Sequence, residues 1–187
     1  MKKIILDLAM SLDAFMEGKK KEVDWIIFDD EIGAELSGFA DEIDAVLYGR
    51  VSYELFGNYV PPDEASPFEK AFYSKINQRQ KYVFSRQPIT VHPGDILIQD
   101  DIVGAIQDIR AKAQKDIWLF GGAGLISSLL NLDLVDEIRI GVNPVILGEG
   151  NPIFKHILGA KKLDLIKSKV YQSGVIGLYY RPAAKTT

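Results

Sequence analysis

Short apolar runs alternate with segments of helical periodicity along most of the chain. Apolar runs bounded by polar residues or glycine indicate buried strands, and apolar positions that recur every three or four residues indicate amphipathic helices. In the segment 29–40, Ile32, Leu36 and Phe39 follow the helical spacing, and Asp29 or Asp30 can cap the first turn. Predicted strands cover residues 4–10, 45–48, 81–85, 96–99, 117–120, 137–142, 163–170 and 175–181. Predicted helices cover residues 29–40, 50–56, 67–77, 102–113 and 125–130.

The order of these elements predicts an α/β fold. Strands and helices alternate over most of the chain, whereas the last strands follow one another without a helix between them. Alternation favours a parallel sheet, and consecutive strands joined by a turn favour antiparallel pairing. We therefore expect a largely parallel sheet that ends in antiparallel strands. No linker or repeat interrupts the pattern, so we expect one domain over residues 1–187.

Composition and charge narrow the possible functions. The 187 residues are 47% hydrophobic and 26% charged, which is ordinary for a globular protein. The chain has no cysteine and only two histidines, so we expect neither a disulfide scaffold nor a metal site. The net charge is −4, and residues 22–49 hold nine acids and no Lys or Arg, which disfavours a nucleic-acid partner. No apolar run reaches the ~18 residues of a membrane span. We expect a cytoplasmic protein that binds small molecules.

A glycine cluster after the strand at 117–120 is the strongest local signal for a ligand site. Glycine lets the backbone approach a ligand closely, and the first amides of the helix that follows have no partner within that helix. Phosphate groups bind well at such a position. The cluster lacks the Lys-Ser/Thr of a P-loop and the G-x-G-x-x-G spacing of the dinucleotide fingerprint. A turn that only packs a helix against the sheet is the alternative.

Two arginines follow other predicted strands. Arg50 comes directly after Gly49, where a strand turns into a helix, and Arg86 follows Ser85 at the end of another strand. Ligands in open α/β sheets bind at the carboxyl ends of strands. An Arg fork with a Ser hydroxyl suits a phosphate monoester, such as the 2′-phosphate that distinguishes NADP from NAD. Either arginine, taken alone, is more often a solvated surface charge, and the coincidence of three strand ends favours the ligand site.

A series of motifs spans almost the whole chain, from about residue 2 to 181. In order, they are Ala-Met-Ser-Leu-Asp at 9–13, Asp-Trp at 24–25, Gly-Arg-x-Ser-Tyr-Glu at 49–54, Phe-Ser-Arg at 84–86, Phe-Gly-Gly-Ala-Gly at 120–124 and Pro-Val-Ile-Leu-Gly-Glu-Gly at 144–150. The series resembles the dihydrofolate reductase superfamily, in the branch similar to the C-terminal reductase domain of riboflavin biosynthesis. Ala14 stands where that branch usually has glycine.

The resemblance implies a three-layer fold, with a mixed, mostly parallel sheet of about eight strands and helices on both faces. It also implies an NADPH-dependent reductase. Carried over to this sequence, the residues that hold the adenosine 2′-phosphate are Gly49, Arg50, Ser52, Ser85 and Arg86. Those that hold the pyrophosphate are Gly121, Gly122, Ala123 and Gly124. Ala9 lies where the family's nicotinamide carboxamide meets the backbone.

Acidic residues are the candidates for the substrate pocket. Dihydrofolate reductases carry one carboxylate on the helix after the Trp, and Asp30 is the nearest equivalent here, so it is our candidate catalytic acid; a helix-capping role is the alternative. Asp7 lies within an apolar strand, where it faces either a polar pocket or solvent. Asp13 and Glu149 are substrate contacts or loop residues. Trp25 is either core or a wall of the pocket.

These observations predict a reductase that transfers a hydride from NADPH to a small heterocycle, either pterin-like or of the ribosylamino-pyrimidine type. Two alternatives remain. One is a true dihydrofolate reductase, and the other is a non-catalytic module that binds NADPH or a pterin. A fold resemblance cannot separate the three, because one fold hosts many functions. The hypothesis includes a homodimer as a possible assembly.

Overall fold

A computed structural model describes residues 1–184. An eight-stranded sheet runs through the centre of the molecule, and a two-stranded sheet lies beside it. The strands are β1 Ile4–Ser11, β2 Phe15–Gly18, β3 Ile43–Gly49, β4 Gln80–Phe84, β5 Ile96–Ile98, β6 Asp116–Gly121, β7 Glu137–Asn143, β8 Gly150–Pro152, β9 Leu163–Val170 and β10 Ile176–Pro182. The helices are α1 Asp30–Glu42, α2 Arg50–Phe56, α3 Pro67–Asn77, α4 Ile102–Lys112 and α5 Ala123–Asn131.

The strand order of the large sheet is β5-β4-β3-β6-β1-β7-β10-β9. The first six strands in this order pair in parallel, and β10 pairs antiparallel with both β7 and β9. The predicted α/β fold, with a mixed and mostly parallel sheet of eight strands, is therefore confirmed. Within residues 1–184, none of the helices has the length and apolar character to cross a bilayer.

Each face of the sheet packs against its own helices. Ile4 and Leu6 of β1 join a core that includes residues of α4 and α5, whereas Ile5 joins a second core with residues of α1 and α3. This division follows from the alternation of side chains along a strand. Because Asp7 lies two residues after Ile5, it faces the α1 side of the sheet.

The sequence did not predict the two-stranded sheet of β2 and β8. These strands are only 4 and 3 residues long, and each carries a glycine where they pair. A Cβ at Gly150 would lie 2.4 Å from the main-chain oxygen of Glu17, so the close approach of the two strands requires glycine there. Such short segments carry too few residues to show a strand periodicity.

We expect Leu119→Ala to destabilise the protein strongly. Leu119 lies on the central strand β6 and is fully buried. Truncating a buried leucine leaves a cavity and typically costs ~2–5 kcal/mol of unfolding free energy. The matched control is Leu158→Ala, because Leu158 is 75% exposed. Urea denaturation should show a loss for Leu119→Ala and little change for the control, and equal losses would contradict the assigned core.

Candidate functional site

A cleft of about 1740 Å³ opens between the large sheet and the surrounding helices. Its lining includes the carboxyl ends of β3, β4 and β6, the N-termini of α2 and α5, and the inner face of α1. Pockets for a single small ligand usually measure ~300–1,000 Å³. The cleft therefore has room for two ligands side by side.

The sheet opens at the floor of this cleft because β1 and β6 part. Their pairing ends at Leu6 and Leu119, whereas β1 continues along β7 as far as Ser11. The main-chain oxygen of Asp7 accepts a hydrogen bond from Trp118 Nε1 on the β6 side, at 2.9 Å. Main-chain groups two residues apart on a strand point the same way, so those of Ala9 point into the opening. They are available to a ligand there, since no strand within residues 1–184 pairs with them on that side.

A glycine turn forms one end of the cleft, between β6 and α5. Gly121 has a φ of +130°, which favours glycine, and the peptide bond between Gly121 and Gly122 is cis. A Cβ on Gly49 would lie 3.1 Å from the main-chain nitrogen of Gly122. A side chain at position 49 would therefore crowd the starts of α2 and α5, which approach each other closely here.

Helices α2 and α5 begin at the cleft without a side-chain cap. Asp29, Ser66 and Asp101 accept hydrogen bonds from the first turns of α1, α3 and α4. Gly49 and Gly122 take the corresponding positions of α2 and α5 and have no side chain to do so. The first amides of the nine-residue helix α5 thus face the cleft without a partner in the described part of the chain, at the positive end of the helix dipole.

The two arginines both line the same end of the cleft. Arg50 Nη1 donates to both carboxylate oxygens of Glu54, at 2.8 and 2.9 Å, and the rest of its guanidinium has no partner among residues 1–184. Arg86 is exposed and makes no ion pair within the same range. Ser52 is buried, and Ser85 exchanges hydrogen bonds with Gln87 in its own turn. The two arginines bring positive charge to this end of the cleft, which Asp100 and Asp101 also line; we call it the cationic end after the arginines.

The other end of the cleft lies between the sheet and α1, and its walls are largely aromatic. Phe28, Phe39, Phe72, Trp118 and Phe120 line it. The floor beneath them comprises residues of β1, β7 and β10, including Ala9 and Gly141, which are register partners. A flat, mostly apolar ring fits such a space, with polar groups needed only at its rim.

Glu35 on the inner face of α1 is the polar centre of this second end. Its carboxylate accepts hydrogen bonds from Lys169 Nζ at 2.7 Å, from the Tyr171 hydroxyl at 2.9 Å and from the Tyr179 hydroxyl. Burial alone raises the pKa of Glu35, but the hydrogen bonds from these three groups outweigh it and lower the pKa from 4.5 to about 2. Glu35 is therefore an anion at any physiological pH.

Asp7 has the opposite environment. It lines the cleft floor, and loss of solvent around its carboxyl raises its pKa from 3.8 to about 7, although the positive charge of Arg139 opposes the rise. Arg139 is its register partner on β7, but the Arg139 guanidinium donates to Glu137 instead, at 2.7 Å. The negative charges of Glu35 and Glu137 raise the pKa of Asp7 further.

The sequence profile of the RibD C-terminal domain matches residues 2–176. The chain belongs to the RibD C-terminal domain family. The predicted resemblance to the reductase branch of the dihydrofolate reductase superfamily is thereby confirmed. The uncharacterized protein YyaP of Bacillus subtilis (strain 168) is 41% identical to this RibD C-terminal domain over 179 residues, which cover 96% of the present chain and 94% of YyaP.

Two solved structures share the fold of this RibD C-terminal domain. One is a protein assigned to riboflavin biosynthesis from Shewanella sp. PV-4, with a TM-score of 0.78, 22% identity, and coverage of 98% of this chain and 100% of that chain. The other is the dihydrofolate reductase of Enterococcus faecalis complexed with NADP(H), with a TM-score of 0.64, 14% identity, and coverage of 97% of each chain. At these identities the likeness concerns the fold alone.

The structure does not bring Asp30, our predicted catalytic acid, to the cleft. Asp30 is exposed in the first turn of α1 and is not among the residues that line the cavity. The cap of this helix is Asp29, which accepts from the Ile32 amide at 2.8 Å. The sequence held a signal for Glu35 instead, because Glu35 follows Ile32 by three positions and precedes Phe39 by four, on the apolar face of the helix.

Three further candidates lie outside the cleft lining of this RibD C-terminal domain. Asp13 accepts from the Ser11 hydroxyl at 2.6 Å and from the amides of Leu147 and Gly148, so it has the loop role that we held as an alternative. Glu149 is exposed and pairs with Lys19 at 2.9 Å. Trp25 donates from Nε1 to the main-chain oxygen of Glu22, at 3.1 Å.

The other candidates do lie at the cleft. Asp7 lines it, and every residue predicted from the resemblance to bind the cofactor also lines it except Gly121, which immediately precedes the lining residue Gly122. Their roles stay predictions, since position alone does not show binding. Lining residues with ionisable side chains that the sequence did not single out include Glu35, Tyr171, Tyr179 and Arg139.

We expect the stabilising effect of Glu35 to depend on pH. Its folded pKa lies below its ordinary value, so its stabilisation is complete above pH 4.5 and disappears as the pH falls toward about 2. Glu35→Gln should therefore lower the unfolding free energy at neutral pH, by ~1–2 kcal/mol after allowance for partial exposure. The measurement is urea denaturation of both proteins across this pH range.

Glu54→Gln is the matched control for Glu35→Gln, because Glu54 is an exposed residue whose carboxylate pairs with Arg50 only. Its effect should stay below ~0.5 kcal/mol. A Glu35→Gln effect that does not change between neutral and acidic pH would contradict the assigned hydrogen bonds.

Proposed function

We propose that this protein is a reductase that binds NADPH and transfers a hydride to a small heterocyclic substrate. The observation that carries the proposal is the opening between β1 and β6, which joins the cationic end of the cleft to its aromatic end. A nucleotide cofactor needs the first end, and a planar substrate needs the second. Their reacting rings would meet at the opening, beside Ala9.

The residues of the cationic end suit the parts of NADPH. The unpaired amides at the start of α5, from Gly122 to Gly124, suit the pyrophosphate. Arg50 and Arg86 suit the adenosine 2′-phosphate, because a guanidinium fork matches a phosphate monoester. The main chain of Ala9 suits the nicotinamide carboxamide, which both donates and accepts hydrogen bonds. Bound NADPH would supply the hydride, and the protein would supply orientation and a cleft that excludes water.

The family and the two ends of the cleft support a reductase more than a binding module. A module that only holds a nucleotide has no need for a second ligand space beside the cofactor. The substrate class is tested by a panel of pterins, ribityl- and ribosylamino-pyrimidines and simple carbonyl compounds, followed by the loss of NADPH absorbance. Turnover of dihydrofolate alone would support a true dihydrofolate reductase. Tight NADPH binding without any turnover would support the binding module.

We expect the protein to prefer NADPH to NADH. A charged hydrogen bond to phosphate is worth ~1.5–3 kcal/mol, so the preference should exceed about tenfold. Arg50→Ala should raise the dissociation constant for NADPH by about this factor and leave that for NADH nearly unchanged. Isothermal titration calorimetry with both cofactors is the measurement.

The control for Arg50→Ala is Arg181→Ala. Arg181 lies on β10, near the opposite edge of the sheet, and pairs with Asp164. This variant should bind both cofactors as the unchanged protein does. Equal affinity of the unchanged protein for NADPH and NADH would reject the proposed phosphate contact.

We expect Gly122→Val to abolish NADPH binding while the protein still folds. A Cβ at Gly122 would lie 3.1 Å from Ser52 Oγ, and the valine methyl groups would add bulk at the unpaired amides of α5. Gly38→Val is the control, because a Cβ at Gly38 on α1 meets nothing within 4 Å and the residue does not line the cleft. Circular dichroism would verify folding, and fluorescence titration would measure binding. Normal NADPH binding by Gly122→Val would mean that the turn has a structural role only.

A further inference from the structure

One acid on the cleft floor has no side-chain partner. The carboxyl group of Asp7 makes no hydrogen bond or ion pair with any residue between 1 and 184; only its main-chain oxygen is engaged, by Trp118. Asp7 is half-buried at the cavity wall. A carboxyl group that has lost solvent without gaining a hydrogen bond costs free energy, so its position needs an explanation. We propose that Asp7 is the catalytic acid of this cleft, binding a ring nitrogen of the substrate and delivering the proton that accompanies the hydride. This inference rests on the proposed reductase function.

The position of Asp7 on β1 suits this role. Asp7 and Ala9 are two residues apart and project from the same face of the strand, at ~7 Å from each other. A nicotinamide beside Ala9 and a heterocycle above Asp7 would therefore be neighbours. The carboxyl group also lies under α1, within the aromatic end of the cleft, where a planar ring would cover it from water.

Charged and titratable groups approach Asp7 from β7, α1 and β10, and none within residues 1–184 binds its carboxyl group. From β7, Arg139 faces it but is held by Glu137, and its guanidinium lies 4.9 Å from the centre of the Phe39 ring. From α1, Glu35 adds negative charge. Tyr179 of β10 donates to Glu35, and Trp118 of β6 donates only to the Asp7 main chain.

The two acids of the cleft have pKa values displaced in opposite directions. Burial raises the pKa of Asp7 to about 7, whereas the hydrogen bonds from Lys169 and the two tyrosines outweigh burial at Glu35 and bring its pKa to about 2. Paired acids with divergent pKa values are a common sign of divided roles in acid–base catalysis. Asp7 can hold and release a proton near neutral pH, and Glu35 keeps a constant negative charge. Glu35 thus acts as a positioning residue for the tyrosines and not as the proton donor.

The geometry also indicates the class of substrate. A single carboxyl group at the floor of an aromatic slot suits a heterocycle with a C=N bond, preferably next to an amino group, so that both carboxyl oxygens have a partner. In the reaction, the carbon of the C=N bond receives the hydride that NADPH supplies. The π electrons pass to the nitrogen, which takes the proton as the Asp7 O–H bond breaks. Water then reprotonates the Asp7 carboxylate.

The first test is direct titration of Asp7 by carbon-13 NMR of protein labelled at the aspartate carboxyl. We expect one signal with a midpoint near pH 7 that is absent in Asp7→Asn. Adding 2,4-diaminopyrimidine, a probe with the required amidine edge, should shift that signal. Asp7→Asn should weaken binding of the probe by at least tenfold, whereas Asp108→Asn, an exposed acid of α4 outside this cleft, should not. An Asp7 signal that titrates near pH 4 and ignores the probe would overturn the inference.

A second test uses the holoenzyme and the heterocycle that gives turnover in the panel. The single-turnover rate should fall as the pH rises through about 7 in the unchanged protein, because only protonated Asp7 donates. Asp7→Asn should lower the rate by ~100-fold, remove this pH dependence and leave the NADPH dissociation constant unchanged. An unaltered rate and pH profile would overturn the role of Asp7 and leave the reductase standing. Failure of the unchanged protein to bind NADPH would instead reject the reductase, and the NMR and probe measurements would still decide whether Asp7 is a ligand site.

Thermal unfolding distinguishes loss of the proton donor from a damaged fold. The folded pKa of Asp7 lies above its ordinary value of 3.8, so its charged form opposes folding increasingly as the pH rises through about 7. Asp7→Asn removes that charge with nearly the same shape. The variant should therefore gain more thermal stability, relative to the unchanged protein, at about pH 8.5 than at about pH 5. A uniform loss of stability at both values would contradict the unpartnered state of the carboxyl group.

Discussion

The parting of β1 from β6 is the feature on which the rest of the site depends. A continuous parallel sheet would engage the main chain of β1 on both sides and would leave nothing for a ligand. Because pairing with β6 stops at Leu6 and Leu119, the residues of β1 that follow Leu6 line the cleft instead. The glycine turn at Gly121 and Gly122 lies at this end of β6, where Gly121 is still paired with Tyr48 of β3. The free amides of α5 and the opening therefore arise from the same end of one strand.

The charges around this opening are separated by the sheet order. Arg50 and Arg86 follow β3 and β4 on one side of β6, whereas Asp7 and Glu35 lie toward β1, β7 and α1 on the other. At the α1 end, the negative charge of Glu35 is paired with Lys169 at 2.7 Å. The two arginines therefore distinguish the end of the cleft at β3 and β4 from the end at α1.

The sequence predicted the structural features that depend only on residues close together in the chain. Strand and helix periodicity, the cap of α1 at Asp29 and the glycine turn after β6 are all local, and the structure contains each of them. On α1, we chose Asp30 from its position along the chain, whereas the structure places Glu35 on the side of the helix that faces the cleft. Lys169 and Tyr171 reach Glu35 from more than 130 positions away, so their part in the site exists only after β9 and β10 fold against α1.

The state of Asp7 illustrates why a site of this kind is visible only in three dimensions. In the sequence, an acid within an apolar run is equally consistent with an exposed strand end and with a pocket. In the structure, the charge of Arg139 lowers the pKa of Asp7, but the Arg139 guanidinium donates its hydrogen bond to Glu137. Arg139 is therefore not a hydrogen-bond partner of Asp7. A protein that needed only stability would gain by pairing Asp7 with Arg139 or by replacing it with an apolar residue. The unpaired carboxyl group at the cleft floor is therefore best explained by a ligand that completes its hydrogen bonds.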